Sequence, residues 1–154
     1  MDQKPTLHLM VGLPCSGKTT RAKELEVERR ALRLTPDEWQ IPLFGQDAAD
    51  PLHNARHDAV EALLWNLAER ALTIGTSVIL DFGFWSKVER DDFRARATRL
   101  GAHCELHFMD VPEAELLRRL ESRNAALPQS CYAITAENLR EYIALFEPPT
   151  PVEL

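Results

Sequence analysis

Gly12-Leu13-Pro14-Cys15-Ser16-Gly17-Lys18-Thr19 matches the phosphate-loop pattern GxxxxGK[ST] at every fixed position. It stands between a short apolar run, Leu7 to Val11, and a helical pattern, Lys18 to Glu28, which is the context the pattern requires. Glycines there let backbone N–H groups converge on phosphate oxygens, and the helix N-terminus adds about half a positive charge. Lys18 is placed to bridge the outer phosphates and Thr19 to ligate a divalent cation. The expected ligands are therefore ATP and Mg²⁺, with Gly12, Pro14, Cys15, Ser16, Gly17, Lys18, Thr19 and Thr20 forming the cradle. The position of Cys15 inside the loop makes it a candidate oxidation-sensitive thiol.

Two carboxylates and a basic helix add reaction chemistry. Asp81 follows the apolar run Ser77-Val78-Ile79-Leu80, so it is expected at a strand end beside the loop, as a second group on the metal side. Alone, a strand-ending aspartate is equally a turn former or helix cap. Asp37 lies 19 residues after Lys18, just past a second strand, where a carboxylate can take the proton of an attacking hydroxyl. Thr35-Pro36-Asp37-Glu38 also has the form of a helix start, and both readings can hold together. Arg119 and Arg123 share a helix face at four-residue spacing and can approach one anion, with Arg118 beside them. The competing reading of this run is a solvated face paired with Glu115 and Glu121.

The elements that must position these groups alternate. After the first strand, loop and helix, Ala31 to Leu34 is a second strand closed by Thr35-Pro36. Apolar residues recur every four from Ala55 to Ala71, flanked by Val60, Leu64 and Leu72, predicting a long helix over Asn54 to Leu72. Ser77 to Leu80 is a third strand, Ser86-Lys87-Val88-Glu89 a capping box for the next helix, and His103 to Met109 a fourth strand. Asp110-Val111-Pro112-Glu113 opens a helix through Leu120, and a last helix runs from about Ala136 to Phe146. The pattern predicts a three-layer α/β/α domain over 1–146, an open parallel sheet of four to five strands with helices on both faces and ligands at the carboxyl ends of the strands. The segment 147–154 is expected to be a proline-rich, extended tail.

With the loop, both aspartates and the arginine helix in this order, the chain resembles the P-loop kinase family that includes the phage-type polynucleotide 5′-kinase domain, chloramphenicol phosphotransferase and the zeta toxins. The resemblance spans nearly the whole chain and is closest to the polynucleotide kinase at Val78-Ile79-Leu80-Asp81 with Glu89-Arg90, and from Phe108 through Asp110-Val111-Pro112-Glu113 to Arg119 and Arg123. It implies that Gly12 to Thr19 hold ATP and Mg²⁺, that Asp37 is the general base, that Asp81 serves the metal and acceptor side, and that Arg119 and Arg123 close on the phosphates from a helical lid, about 118–134. Where the polynucleotide kinase has an acceptor-binding arginine three residues past the base, this chain has Gln40.

Composition bears on the acceptor. Lys plus Arg is 18 against 24 for Asp plus Glu, a net charge of −6, so no general attraction to a phosphate backbone is expected. That balance and Gln40 favour a small hydroxylated acceptor such as an antibiotic, nucleoside or sugar over a polynucleotide 5′-hydroxyl. A nucleotide-binding regulatory or toxin-like module is the alternative from outside the enzymes. Trp39, Phe44, Phe84 and Trp85 are candidates for an apolar wall at the strand ends, or for satellite core. His53 and His57 share a helix face without a third ligand near in sequence and read as surface or acceptor-site histidines, whereas His103 and His107 read as sheet residues. Three cysteines without a CxxC pair, and no apolar stretch near the ~20 residues of a membrane span, point to a reducing, cytoplasmic setting.

Overall fold

A computed structural model describes residues 3–129 and 131–154; Met1, Asp2 and, within the expected lid, Ser130 lie outside the described residues. Four parallel strands, β1 (Thr6–Val11), β2 (Leu32–Leu34), β3 (Val78–Gly83) and β4 (His103–Phe108), form one sheet in the order β2-β3-β1-β4. Between and after them come α1 (Lys18–Glu28), α2 (Pro36–Phe44), α3 (His53–Thr73), α4 (Lys87–Arg99), α5 (Glu113–Ala125) and α6 (Ala136–Leu145).

The two central strands are apolar on both faces because both faces are covered. On one face Met10 and Ile79 pack against Ala22 and Leu25 of α1. On the other, Leu7, Leu9 and Leu80 meet Val60, Leu64 and Leu72 of α3 and Phe93 and Ala97 of α4. Each such side chain removed from water contributes about 1.5 to 3 kcal/mol, so this double layer is the main source of stability. A separate cluster joins Leu116 and Leu120 of α5 to Leu139 of α6 and to Leu13 of the glycine loop. The expected three-layer architecture is therefore present with four strands, and α5 and α6 pack at the loop end.

Several local expectations change. Asp81 does not end its strand: β3 continues to Gly83, and its pairing with β1 shifts from Leu9↔Leu80 to Val11↔Gly83, so β3 carries one extra residue in the step that contains Asp81. Such a bulge re-aims side chains where pairing is locally broken. The buried stripe of α3 is Val60, Leu64, Ala68, Ala71 and Leu72, while Leu63 is exposed, because a stripe drawn at every fourth residue drifts around a helix of 3.6 residues per turn. Asp110 does not cap α5, whose N-cap position is Pro112. Ser86 does cap α4, its hydroxyl accepting from Glu89 N at 3.1 Å.

The tail is a further correction. It folds into a 3-10 turn at Pro151–Glu153 instead of staying extended, and Glu153 is buried against α4. The fully buried Arg90 guanidinium donates to Glu153 Oε1 at 2.8 Å and to the carbonyls of Phe84 and Glu147, each at 2.9 Å. Arg90 beside it holds the Glu153 carboxyl down at about 2. Removing one partner of a buried pair strands the other charge. Glu153→Ala is accordingly expected to cost about 3 kcal/mol, read as a lowered denaturant midpoint at unchanged slope. An unchanged midpoint would show that the tail is not part of the cooperative fold.

Candidate active site

The glycine loop leaves β1 and closes back on itself before α1 begins. Ser16 N donates to Leu13 O at 3.2 Å and Gly12 N to Gly83 O at 3.0 Å, tying the loop to the end of β3. Gly17 has φ +93°, a left-handed conformation that favours glycine, and a Cβ on Gly12 would lie 2.7 Å from Ser16 Oγ. Lys18 Nζ donates to Leu13 O at 3.3 Å, so its ammonium lies over the loop. Trp85 Nε1 donates to Gly12 O at 3.2 Å, and its ring packs on Tyr142 of α6.

Asp81 is buried beneath this loop. Its Oδ2 accepts from Thr19 Oγ1 at 2.6 Å and from Thr35 Oγ1 at 3.0 Å, joining the first turn of α1 to the end of β2. Its Oδ1 is buried with no hydrogen-bond partner, as is Ser16 Oγ. Orphaned buried oxygens of this kind carry a desolvation cost unless a ligand meets them. A carboxylate oxygen beside a threonine hydroxyl is a donor set suited to a hard divalent cation.

A cavity of about 760 Å³ opens above the loop. Of the expected cradle, Pro14, Cys15, Gly17, Lys18, Thr19 and Thr20 line it, while Gly12 and Ser16 lie behind the surface. Asp37, in the first turn of α2, and Asp81 line it as well, and so do Arg119 and Arg123 of α5. Arg119 Nη1 donates to Cys15 O at 3.2 Å, directly on the loop. Arg123 Nη2 donates to Tyr132 O at 3.0 Å, and its Nε is buried without a partner. Arg118 is outside the lining and pairs with Glu115, as the solvated-face reading expected, and Arg119 Nε also donates to Glu115 Oε1 at 3.0 Å, so that reading holds in part for Arg119 too.

The aromatic wall is only partly where it was expected. Trp85 and Phe84 line the cavity, Phe84 as part of the core, but Trp39 and Phe44 do not: both are about half exposed, and Arg56 stacks on Phe44 at 4.5 Å. His53 and His57 do line the cavity, across from Tyr132, whose ring meets His53 edge-on at 4.7 Å. Gln40 is buried and outside the lining. Its amide lies 3.2 Å from His53 O and its Oε1 3.3 Å from His57 Nδ1, so it fixes both histidines. Glu61, Glu89, Tyr132 and Tyr142 are lining residues that sequence reasoning missed. Glu61 alone had a local signal, its four-residue spacing from His57, with which it pairs at 3.3 Å.

Electrostatics divide the cavity in two. The lining cations Lys18, Lys23, Arg119 and Arg123 come from the loop, α1 and α5. The lining from α2, α3 and α4 carries Asp37, Glu38, Glu61 and Glu89 with His53 and His57, and no lysine or arginine. Burial pushes the Asp37 carboxyl above the usual carboxylate range, with His57 and Lys18 opposing. Burial and the neighbouring Glu61 charge push Glu89 up to about 7. The hydrogen bond to Glu61 raises His57, and burial lowers His53.

The model of an AAA domain family, AAA_33, matches residues 7–149. The chain belongs to this family. No curated protein matches the sequence. Among solved structures, a kinase-like protein from Chloroflexus aurantiacus J-10-fl superposes with a TM-score of 0.76 at 22% identity, over 97% of this chain and 84% of that one. A gluconokinase from Sinorhizobium meliloti 1021 gives 0.68 at 16% identity, over 97% and 79%. A chain of the Pnkp1/Rnl/Hen1 RNA repair complex gives 0.68 at 24% identity, over 96% of this chain but only 48% of that one. These likenesses establish a P-loop kinase fold for this AAA_33 domain. Among its described residues no helix is long and apolar enough to cross a membrane.

The Glu89 environment makes a pH-dependent prediction. A carboxyl held at about 7 in the folded state keeps its proton longer than in the unfolded chain, so its contribution to stability is lost as pH rises from the ordinary carboxylate value to about 7. Glu89→Gln cannot ionise. Its melting temperature is expected to fall less than that of the parent between pH 5 and pH 8, and parallel curves would show that Glu89 titrates normally.

Proposed function

We propose that this domain is an ATP-dependent kinase that phosphorylates a hydroxyl of a small, phosphate-free acceptor such as an antibiotic, nucleoside or sugar. The observation that carries the reading is the division of charge in the cavity: every lining lysine and arginine stands at the loop, α1 and α5, and the opposite wall offers carboxylates and imidazoles. An acceptor bearing its own phosphates would meet Asp37, Glu61 and Glu89 with no cation among the lining residues of that wall. This disfavours a polynucleotide 5′-end.

The residues fit ATP and Mg²⁺. The backbone from Gly12 to Thr20 with Lys18 would cradle the phosphates, and Thr19 with the unpartnered Asp81 Oδ1 would hold the metal, directly or through water. ATP supplies the phosphoryl group when bound. Asp37 accepts the proton of the acceptor hydroxyl, and burial raises its basicity for that task. Arg119 and Arg123 stabilise charge that spreads over the phosphoryl oxygens, the unpartnered Arg123 Nε offering a donor. Gln40 holds the two histidines against the acceptor.

The test is ADP release with a panel of phosphate-free polyols, nucleosides and aminosugars against 5′-hydroxyl oligonucleotides. Stimulation by one of the small compounds is expected. Stimulation by the oligonucleotide alone would reassign the acceptor, and no stimulation by any would favour a regulatory module. On the acceptor found, Asp37→Asn should lower kcat by about 10²-fold or more with ATP affinity retained. Lys18→Ala should weaken ATP binding severely in a protein that stays folded, measured by calorimetry.

A further inference from the structure

On the face of β1 that carries α1, away from the cavity, His8 is buried in the sheet with Met10 two residues on. Its neighbours across the β1/β4 pair are Glu105, in register with His8, and His107, in register with Met10. Paired residues in parallel register present their side chains to the same face. Three ligand atoms therefore converge: His8 Nδ1 lies 2.9 Å from His107 Nε2 and 3.2 Å from Glu105 Oε2, and His107 Nε2 lies 3.8 Å from Glu105 Oε2.

We propose that His8, Glu105 and His107 form a binding site for a transition-metal dication, best matched to Zn²⁺, with one coordination position left open. A point equidistant from the three atoms lies about 2 Å from each, the length of Zn–N and Zn–O bonds. Two imidazole nitrogens and one carboxylate oxygen with a fourth position for water form a recurrent zinc ligand set. The rival account is a hydrogen-bonded cluster without metal. It must fit three atoms, each with a lone pair to offer, around at most one shared proton.

Access and charge bear on the site. β4 is an edge strand and the Glu105 side chain is 44% exposed, which gives an ion a way in. Arg29, at the end of α1 and itself half exposed, reaches to 3.7 Å from the same Glu105 oxygen and competes with an ion there. Arg21, also on α1, is engaged with Glu24 and Glu28. A bound ion would cross-tie β1, which feeds the glycine loop, to β4, which feeds α5.

The experiment uses the full chain, stripped with chelator and titrated with Zn²⁺ in excess Mg²⁺. One equivalent of Zn²⁺ is expected, with visible Co²⁺ absorption of four-coordinate intensity. His107→Ala and Glu105→Gln, both on the edge strand, should each weaken binding at least 10- to 100-fold while the melting temperature in chelator stays at the parent value. Arg29→Gln should tighten binding by removing the competing cation. His57→Ala should leave binding unchanged, because it alters the histidine–carboxylate pair His57–Glu61 of the cavity and not the cluster on β1 and β4. Failure to bind one equivalent, or binding that survives His107→Ala, would overturn the proposal. Loss of binding in His57→Ala with retention in His107→Ala would place the ion in the cavity instead. None of these outcomes depends on whether the domain is a kinase.

Discussion

The Asp81 carboxylate is the constraint around which the cavity is assembled. Through one oxygen it accepts from Thr19, at the start of α1, and from Thr35, just before α2, so two helices that bring Lys18 and Asp37 are referenced to one buried atom of β3. Ordinary strand alternation delivers Asp81 there, since Ile79 two residues earlier faces the same helix α1, and the pairing of β3 with β1 shifts by one residue between Leu80 and Gly83. The other oxygen is left without a partner. A fold optimised for stability alone would satisfy it. Leaving it bare, together with Ser16 Oγ, concentrates unmet hydrogen-bonding capacity where phosphates and a metal would sit.

What could be read from sequence was what local chemistry determines. The glycine loop specifies its own backbone through Gly12 and Gly17, and its place between an apolar run and a helix follows from the next residues in the chain. Asp37 was legible because Thr35-Pro36 stops a strand and starts a helix in three residues, and the structure gives Asp37 a position in the first turn of α2. Features set across the sheet were not legible. The exposure of Trp39 and Phe44 depends on how α2 lies against α3, and the meeting of His8 with His107 depends on β4 pairing beside β1. His107 read by itself shows only strand alternation. The tail failed for the same reason, since nothing local in Pro151-Val152-Glu153 names Arg90 as its partner.

The wall built from α2, α3 and α4 is organised around one buried amide. Gln40 is buried and spends both ends of its amide on His53 and His57. With no lysine or arginine among its lining residues, this wall presents the two imidazoles beside Asp37 and Tyr132. Neighbours then adjust to one another: the hydrogen bond and charge of Glu61 raise His57 with Asp37 adding to them, burial with the Glu61 charge raises Glu89, and burial with the Asp37 charge lifts the Tyr132 hydroxyl to about 12. Such a wall holds protons near neutrality and has no fixed positive charge, which suits hydroxyls better than phosphates.

A second line of positioning runs from the far end of the chain to the loop. Glu153 pairs with Arg90, Arg90 donates to the Phe84 carbonyl, and Phe84, at φ +46°, turns the backbone sharply as it leaves β3. That turn aims Trp85 back at the loop, where its indole N–H meets Gly12 O, and the Trp85 carbonyl in turn accepts from Glu147 N. A non-glycine residue at positive φ persists only where surrounding contacts over-determine it. Here the contact is a charge-assisted bond from a guanidinium that is itself fully buried and would be costly without Glu153. The residues around Glu153 therefore help fix the backbone of the glycine loop, which explains why a proline-rich segment whose only regular element is a short 3-10 turn is nonetheless packed against α4.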